Sequence, residues 1–206
     1  MAKRKDVSVL VSAAGWIGSF VGELIATLRE RGISDEQIHA FVNNNGKISV
    51  GKIADVMIAD IRDSEGVYAV AFNYSESIEK LVAAGNYDWS NNDITSEHFP
   101  TSRTGKTETS IKLFHFNRGI SSEYAIREME KEGYRPAEAH ELLSFGAKYL
   151  DVQREFPIIA LGSVWRRPLG ACHVLYLHQH VAKRYARLDW FDGGWSGSCR
   201  FAAVRK

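Results

Sequence analysis

Cysteine is nearly absent: Cys172 and Cys199 are the only two in 206 residues. Two thiols cannot build a disulfide framework, and with no CxxC pair they lack the spacing of a structural zinc site. The expectation is free thiols in a reducing compartment. Both lie in the C-terminal region, so one Cys172–Cys199 bridge stays open. An excess of charge of one sign is missing as well. Lys plus Arg number 26 and Asp plus Glu 25, a formal net charge of +1. That balance gives no electrostatic case for nucleic acid or an acidic membrane as partner. The short basic runs Lys3-Arg4-Lys5 and Arg166-Arg167 read as solvated faces. No apolar run reaches the length of a membrane span. The basic start followed by Val7, Val9, Leu10 and Val11 has the outline of a signal peptide, but Asp6, Ser8 and Ser12 interrupt it. A cytoplasmic location is therefore expected over secretion. No Gly-rich phosphate loop, nucleophile elbow or HExxH motif occurs, so no catalytic residue, no metal and no cofactor is assigned.

What is present suits a globular chain: 45% hydrophobic and 11% aromatic residues can fill a sizeable core. Phe20, Val21, Leu24, Ile25 and Leu28 recur at helical spacing, which predicts a helix over 19–32 stopped by Gly32. Ser34 to Gln37 has the form of a capping box opening a short helix through Val42. Asn43-Asn44-Asn45-Gly46 is a turn, and Ser49–Ala59 reads as a further helix. The pattern Asn43-x-Asn45-Gly46-x-Ile48 resembles the middle of a calcium-binding EF-hand loop. Phe41 and Lys52 stand where the first and last ligands belong, so calcium binding is not expected.

Three regions are expected: a helical unit over 1–65, a mixed connecting region over 66–109, and an α+β domain over 110–206. In the last, a strand near 111–116 precedes two helices, one capped by Ser121 or Ser122 and one opening near Pro136. Strands follow at 158–162, 172–178, 184–190 and 200–205. Helices grouped among strands give an α+β class. Leu142 and Trp190 are expected in its core. His178-x-His180 places two imidazoles on one strand face, without a third metal ligand in view.

Gly133-Tyr134-Arg135-Pro136-Ala137-Glu138-Ala139-His140-Glu141-Leu142 resembles the G-Y-R-L-P-T-E-A-E-W-E segment of the formylglycine-generating, sulfatase-modifying family. The closing Cys199-Arg200-Phe201-Ala202-Ala203-Val204-Arg205 is similar to that family's final F-R-[VL]-[AV]-R strand. The resemblance spans about 110–206 and implies a C-type-lectin-like fold. The family's active-site cysteine pair has no counterpart, and the calcium-binding tripeptides of sugar-binding lectins are absent. The resemblance therefore implies a fold and leaves activity behind.

The C-terminal segment also resembles the variable proteins of diversity-generating retroelements, which use this fold without its chemistry. Their mutagenesis acts on adenines, typically in AAY codons, and cannot produce Lys, Glu, Gln, Met or Trp. Residues 185–199 contain none of these except Trp190 and Trp195, which are expected to be fixed scaffold positions. The resemblance implies a binding surface made of Tyr185, Arg187, Asp189, Phe191, Asp192, Gly193, Ser196, Gly197 and Ser198. Strand alternation agrees, because Tyr185, Arg187 and Asp189 share one face of a strand over 184–190. The expected function is non-enzymatic binding of an unidentified ligand, a protein among the candidates. The alternatives are a degenerate sulfatase-modifying-type enzyme, or a regulator that binds a partner through its N-terminal helices.

Overall fold

The computed structural model describes residues 5–43, 51–52, 66–168 and 170–206. The chain divides into two compact units, Met1–Ile58 and Ala59–Lys206.

In the first unit, helix α1 spans Lys5–Glu30. It begins well before the expected residue 19. Gly15 and Gly18 each weaken helix propensity by about 1 kcal/mol relative to Ala, and so hide the early turns from a sequence reading. Gly32 ends it at φ 83°, the left-handed conformation a helix stop requires. Helix α2 covers 35–43. Its capping box forms as expected: Gln37 N–H donates to Ser34 Oγ and Ser34 N–H donates to Gln37 Oε1. Arg29 grips Asp35 with two nitrogens at 2.8 and 2.9 Å, which ties the two helices at their junction. Apart from residues 51–52, which are helical, the expected 49–59 helix lies outside the described residues, as does the EF-hand-like loop between Asn43 and Gly51.

The second unit is mixed α+β, built on one large sheet. Its strands are β1 (Val67–Asn73), β2 (Trp89–Ser90), β3 (Lys106–Phe114), β4 (Ile120–Ser121), β5 (Tyr134–Pro136), β6 (Ile158–Arg166), β7 (Cys172–His180), β8 (Lys183–Trp190), β9 (Gly194–Trp195) and β10 (Arg200–Arg205). The sheet order is β1-β3-β10-β6-β7-β8-β2, with β5 also paired to β10 and a separate β4–β9 pair. The closing strand β10 inserts between β3, antiparallel, and β6, parallel.

Four helices attend the sheet: α3 (Ile78–Ala84), α4 (Ser122–Lys131), α5 (Ala139–Lys148) and α6 (Val152–Glu155). Ser77 and Ser121 cap α3 and α4 through their hydroxyls, and Glu138 with Glu141 forms a capping box on α5. Each sheet face has its own core. On one, Ile78 and Leu81 of α3 and Leu142, Leu143 and Phe145 of α5 pack on Val70, Ile111, Ile158, Leu175, Leu177 and Ala202. On the other, Ala125 and Met129 of α4 pack with Phe114, Ile159, Val174, Phe201 and Trp195.

The region 66–109, expected to be a connector, is part of this unit. It supplies β1, α3, β2 and the first four residues of β3, and β1 pairs with β3 along its whole length. Lys106, Thr107 and Glu108 are exposed and so read as polar linker, although Phe72, the β1 partner of Thr107, is buried in the first core.

The family-like segment around Tyr134–Leu142 serves packing. Glu141 is fully buried, and its carboxylate accepts from Arg135 at 2.6 and 2.9 Å, from Glu138 N–H at 2.7 Å and from the Tyr74 hydroxyl. A buried carboxylate survives only when its lone pairs are satisfied in this way. Burial, then the Glu141 hydrogen bond, push the Tyr74 hydroxyl up to about 12. Gly162 sits where β6 bulges between Ala160 and Val164; a Cβ there would meet the carbonyls of Pro136 and Ala137 at 2.6 Å.

Candidate ligand-binding surface

Strand β8 positions the candidate residues. It pairs antiparallel with β7 from His180–Lys183 to His173–Trp190, and the first part of its other edge is covered by the two residues of β2 and the flanking Asp88 and Asn91. Alternation sends Arg184, Ala186 and Leu188 to the core face and Tyr185, Arg187 and Asp189 to the other. Ala186 is fully buried and Leu188 packs against the first core.

Arg184 is a cation at a core position. Its guanidinium donates to the carbonyls of Gly85 at 2.6 Å and Gly146 at 2.7 Å and to Gln153 Oε1 at 2.9 Å, and lies 4.9 Å from the Tyr87 ring centre. Its backbone N–H donates to Asp88 Oδ2. Burial lowers its pKa, which stays far above neutrality in an arginine. Arg184 thus pins the start of β8 to the end of α3, to α5 and to α6, and fixes which face of the strand looks outward.

The outward face is an aromatic and cationic platform. The Trp89 ring lies 6.1 Å from that of Tyr185, and the Arg187 guanidinium lies over both, at 5.2 and 5.1 Å from their centres. From β7, His178 is sandwiched between Tyr185 at 5.4 Å and Tyr176 at 5.0 Å, both nearly parallel to it. Burial lowers the His178 pKa, and the nearby Arg187 and His180 add to that, so the ring is neutral at pH 7. Burial pushes the Tyr176 hydroxyl up, with Asp189 adding and Arg187 opposing.

The loop after β8 continues this face. Ser196 Oγ is 2.7 Å from Ser198 Oγ and 3.5 Å from Cys199 Sγ. His115 donates from Nε2 to the Gly197 carbonyl, 2.8 Å away. A Cβ on Gly197 would press on Arg118 N at 2.9 Å, so this loop residue is set by its neighbour's backbone. Trp195 is 6% exposed and donates from Nε1 to Ser122 Oγ, which in turn donates to the Phe191 carbonyl. Trp195 is a scaffold residue, as expected.

Of the sequence-expected surface residues, Arg187, Asp192, Ser196 and Ser198 are exposed. Tyr185, Asp189, Gly193 and Gly197 are half-buried. Phe191 is a correction. It is half-buried, its side chain packs against the second core and its N–H donates to Cys172 O, so it belongs in part to the scaffold. Trp190 is a second correction: expected in the core, it is 57% exposed. Its parity is right, but it is the last residue of β8, where alternation alone does not ensure burial. Trp190 instead packs 5.0 Å from His173, which continues through Trp165 to His98. Leu142 is fully buried.

Three platform residues escaped the sequence reading. Tyr176 and His178 lie on β7, and Trp89 lies nearly a hundred positions before Tyr185. Only the strand pairing brings them together; the His178-x-His180 spacing was the one visible hint. Among the described residues no group of three or more His, Cys, Asp or Glu could hold a metal ion. Cys172 and Cys199 are free, buried thiols. No described helix is long and apolar enough to cross a membrane. A cleft of about 260 Å³ elsewhere, between residues 98–102 and 162–164, is lined by Glu138, whose carboxylate is already taken by Thr101 and Arg103. No protein-family model, curated protein or solved structure matches this chain.

Proposed function

We propose that this chain is a non-enzymatic ligand-binding protein that displays a diversified surface on a C-type-lectin-like scaffold, in the manner of the variable proteins of diversity-generating retroelements. The observation that carries this reading is the division of labour along β8. Its core face is locked by Arg184, Ala186 and Leu188, while Tyr185 on the other face belongs to neither hydrophobic core and Arg187 beside it is exposed. Side chains there can change without rebuilding the core, which is what a diversified surface requires. Tyr, Trp and Arg are also the residues that dominate binding energy at interfaces. The lectin-like part of the reading is supported by chain order: strand β3, helices α4 and α5, strands β6 to β8, and a last strand that returns between the first and β6.

The reading is tested at the locus and in the protein. Sequencing around the gene should find a reverse transcriptase and a near-repeat of the 3′ coding region that differs from it at adenines. In the protein, simultaneous replacement of Tyr185, Arg187, Asp189, Asp192, Ser196 and Ser198 by small polar residues should leave a cooperative melt, since surface changes usually stay within about 0.5 kcal/mol each. A locus without such a repeat, together with an unfolded sextuple variant, would remove the reading.

A further inference from the structure

The platform has a chemical bias that its position alone does not explain. Arg187 is exposed, and among the described residues no carboxylate lies within ion-pair distance of it. Its guanidinium is not floppy, because it rests on Trp89 and Tyr185. Stacking holds the flat face of the fork; the Tyr176 hydroxyl takes part of its N–H edge, and the other N–H groups of the five remain for a ligand. A fork held in this way loses less entropy when it binds, and it matches a carboxylate with two parallel hydrogen bonds. By alternation Lys183 shares this face, and His178 and His180 lie beside it on β7. The one acid on the strand face, Asp189, accepts its neighbour Trp190 N–H at 2.8 Å. Trp89 is 45% exposed beside this cation, and solvent-facing tryptophan next to arginine is the composition of an interface hot spot.

We propose that the β7–β8–β2 face docks an acidic segment of a partner protein, with a carboxylate on the Arg187 fork and an apolar or aromatic side chain of the partner against Trp89 and Tyr185. This rests on the reading above that the face is a binding surface, and names the partner's chemistry. Charge complementarity selects the occupant. Two permanent cations, Arg187 and Lys183, suit one or two carboxylates. A nucleic-acid backbone is instead held by a stripe of many cations, and the chain as a whole carries only +1.

The test uses the full chain and three probes: a random Glu–Tyr copolymer, a random Lys–Tyr copolymer and an oligothymidylate. Binding is read by tryptophan fluorescence and by surface capture. The Glu–Tyr copolymer should bind and the Lys–Tyr copolymer should not. Arg187→Ala and Trp89→Ala should each weaken binding by about tenfold or more, the loss typical of a hot-spot truncation. Arg187→Lys should recover only part of it, because an ammonium cannot make the paired contact. Glu123→Gln on α4 should change nothing. Absence of Glu–Tyr binding, binding indifferent to Arg187→Ala and Trp89→Ala, or tighter binding of the oligothymidylate would each overturn the proposal. A library randomised at Tyr185, Arg187, Asp189, Asp192, Ser196 and Ser198 separates the two levels. If it yields binders to an unrelated protein while the parent ignores the Glu–Tyr copolymer, the binding-surface reading stands and the acidic partner falls. If neither binds, both fall.

Discussion

Two arginines three residues apart on one strand should behave oppositely. Arg184→Ala removes a guanidinium that satisfies the carbonyls of Gly85 and Gly146 and the Gln153 side chain. Each buried acceptor left without a donor costs about 1–3 kcal/mol. The three together would reach several kcal/mol, offset in part because a buried cation no longer has to be desolvated and because Arg184 Nε is itself without a partner. The expected net loss is about 3–5 kcal/mol. For a unit of this size that corresponds to a fall in Tm of roughly 10 °C, at about 2–4 °C per kcal/mol. Arg187→Ala removes solvent-facing stacking on Trp89 and Tyr185 and a hydrogen bond to the Tyr176 hydroxyl, together about 1 kcal/mol. The assay is urea and thermal unfolding of both variants followed by circular dichroism. Equal losses, or a larger loss for Arg187→Ala, would mean that the faces of β8 are exchanged and that the platform is core.

The two tryptophans of the C-terminal segment make a second pair. Trp195→Ala should cost about 3–5 kcal/mol, the usual range for a buried aromatic, whereas Trp190→Ser should stay near 1 kcal/mol, both measured by denaturant titration. Leu142→Ala should cost about 2–5 kcal/mol; an unchanged melt would mean that α5 presents a different face. Stability should also decline on acidification. Burial holds the pKa of both His140 and His178 below the ordinary value, so above about pH 6.5 folded and unfolded chains are equally unprotonated at these rings. As pH falls below that, the unfolded chain takes up protons first and the native state loses ground until the folded pKa is passed. A His140→Gln, His178→Gln variant should show a shallower decline between pH 7 and 5 in denaturant midpoints; an unchanged slope would refute the assignment.

Local signals determined much of this protein. The Ser34–Gln37 capping box, the Ser121 cap of α4, the stop at Gly32, and the alternation that sets Tyr185 and Arg187 apart from Ala186 and Leu188 all act within a few residues, so they are legible in the chain itself. The expectation that Trp195 belongs to the scaffold rests instead on the residue alphabet that the resemblance implies for 185–199. Other features depend on partners distant in sequence. Trp190 has core parity, but its burial depends on what packs over the end of β8, and parity carries no such information. Phe191 looked like loop surface until Ser122, 69 positions earlier, was found hydrogen-bonded to its carbonyl. Arg184 reads as a solvated charge, because nothing near it in sequence announces the carbonyls of Gly85 and Gly146. Trp89 joins Tyr185 only because β2 pairs parallel with β8, and Tyr176 and His178 join only through the β7–β8 register. The sequence alone grouped Tyr185, Arg187 and Asp189 on one face of β8; only the tertiary structure decided how far each face is buried and what stands beside it, because pairing between strands is chosen by non-local packing and not by the residues of either strand alone.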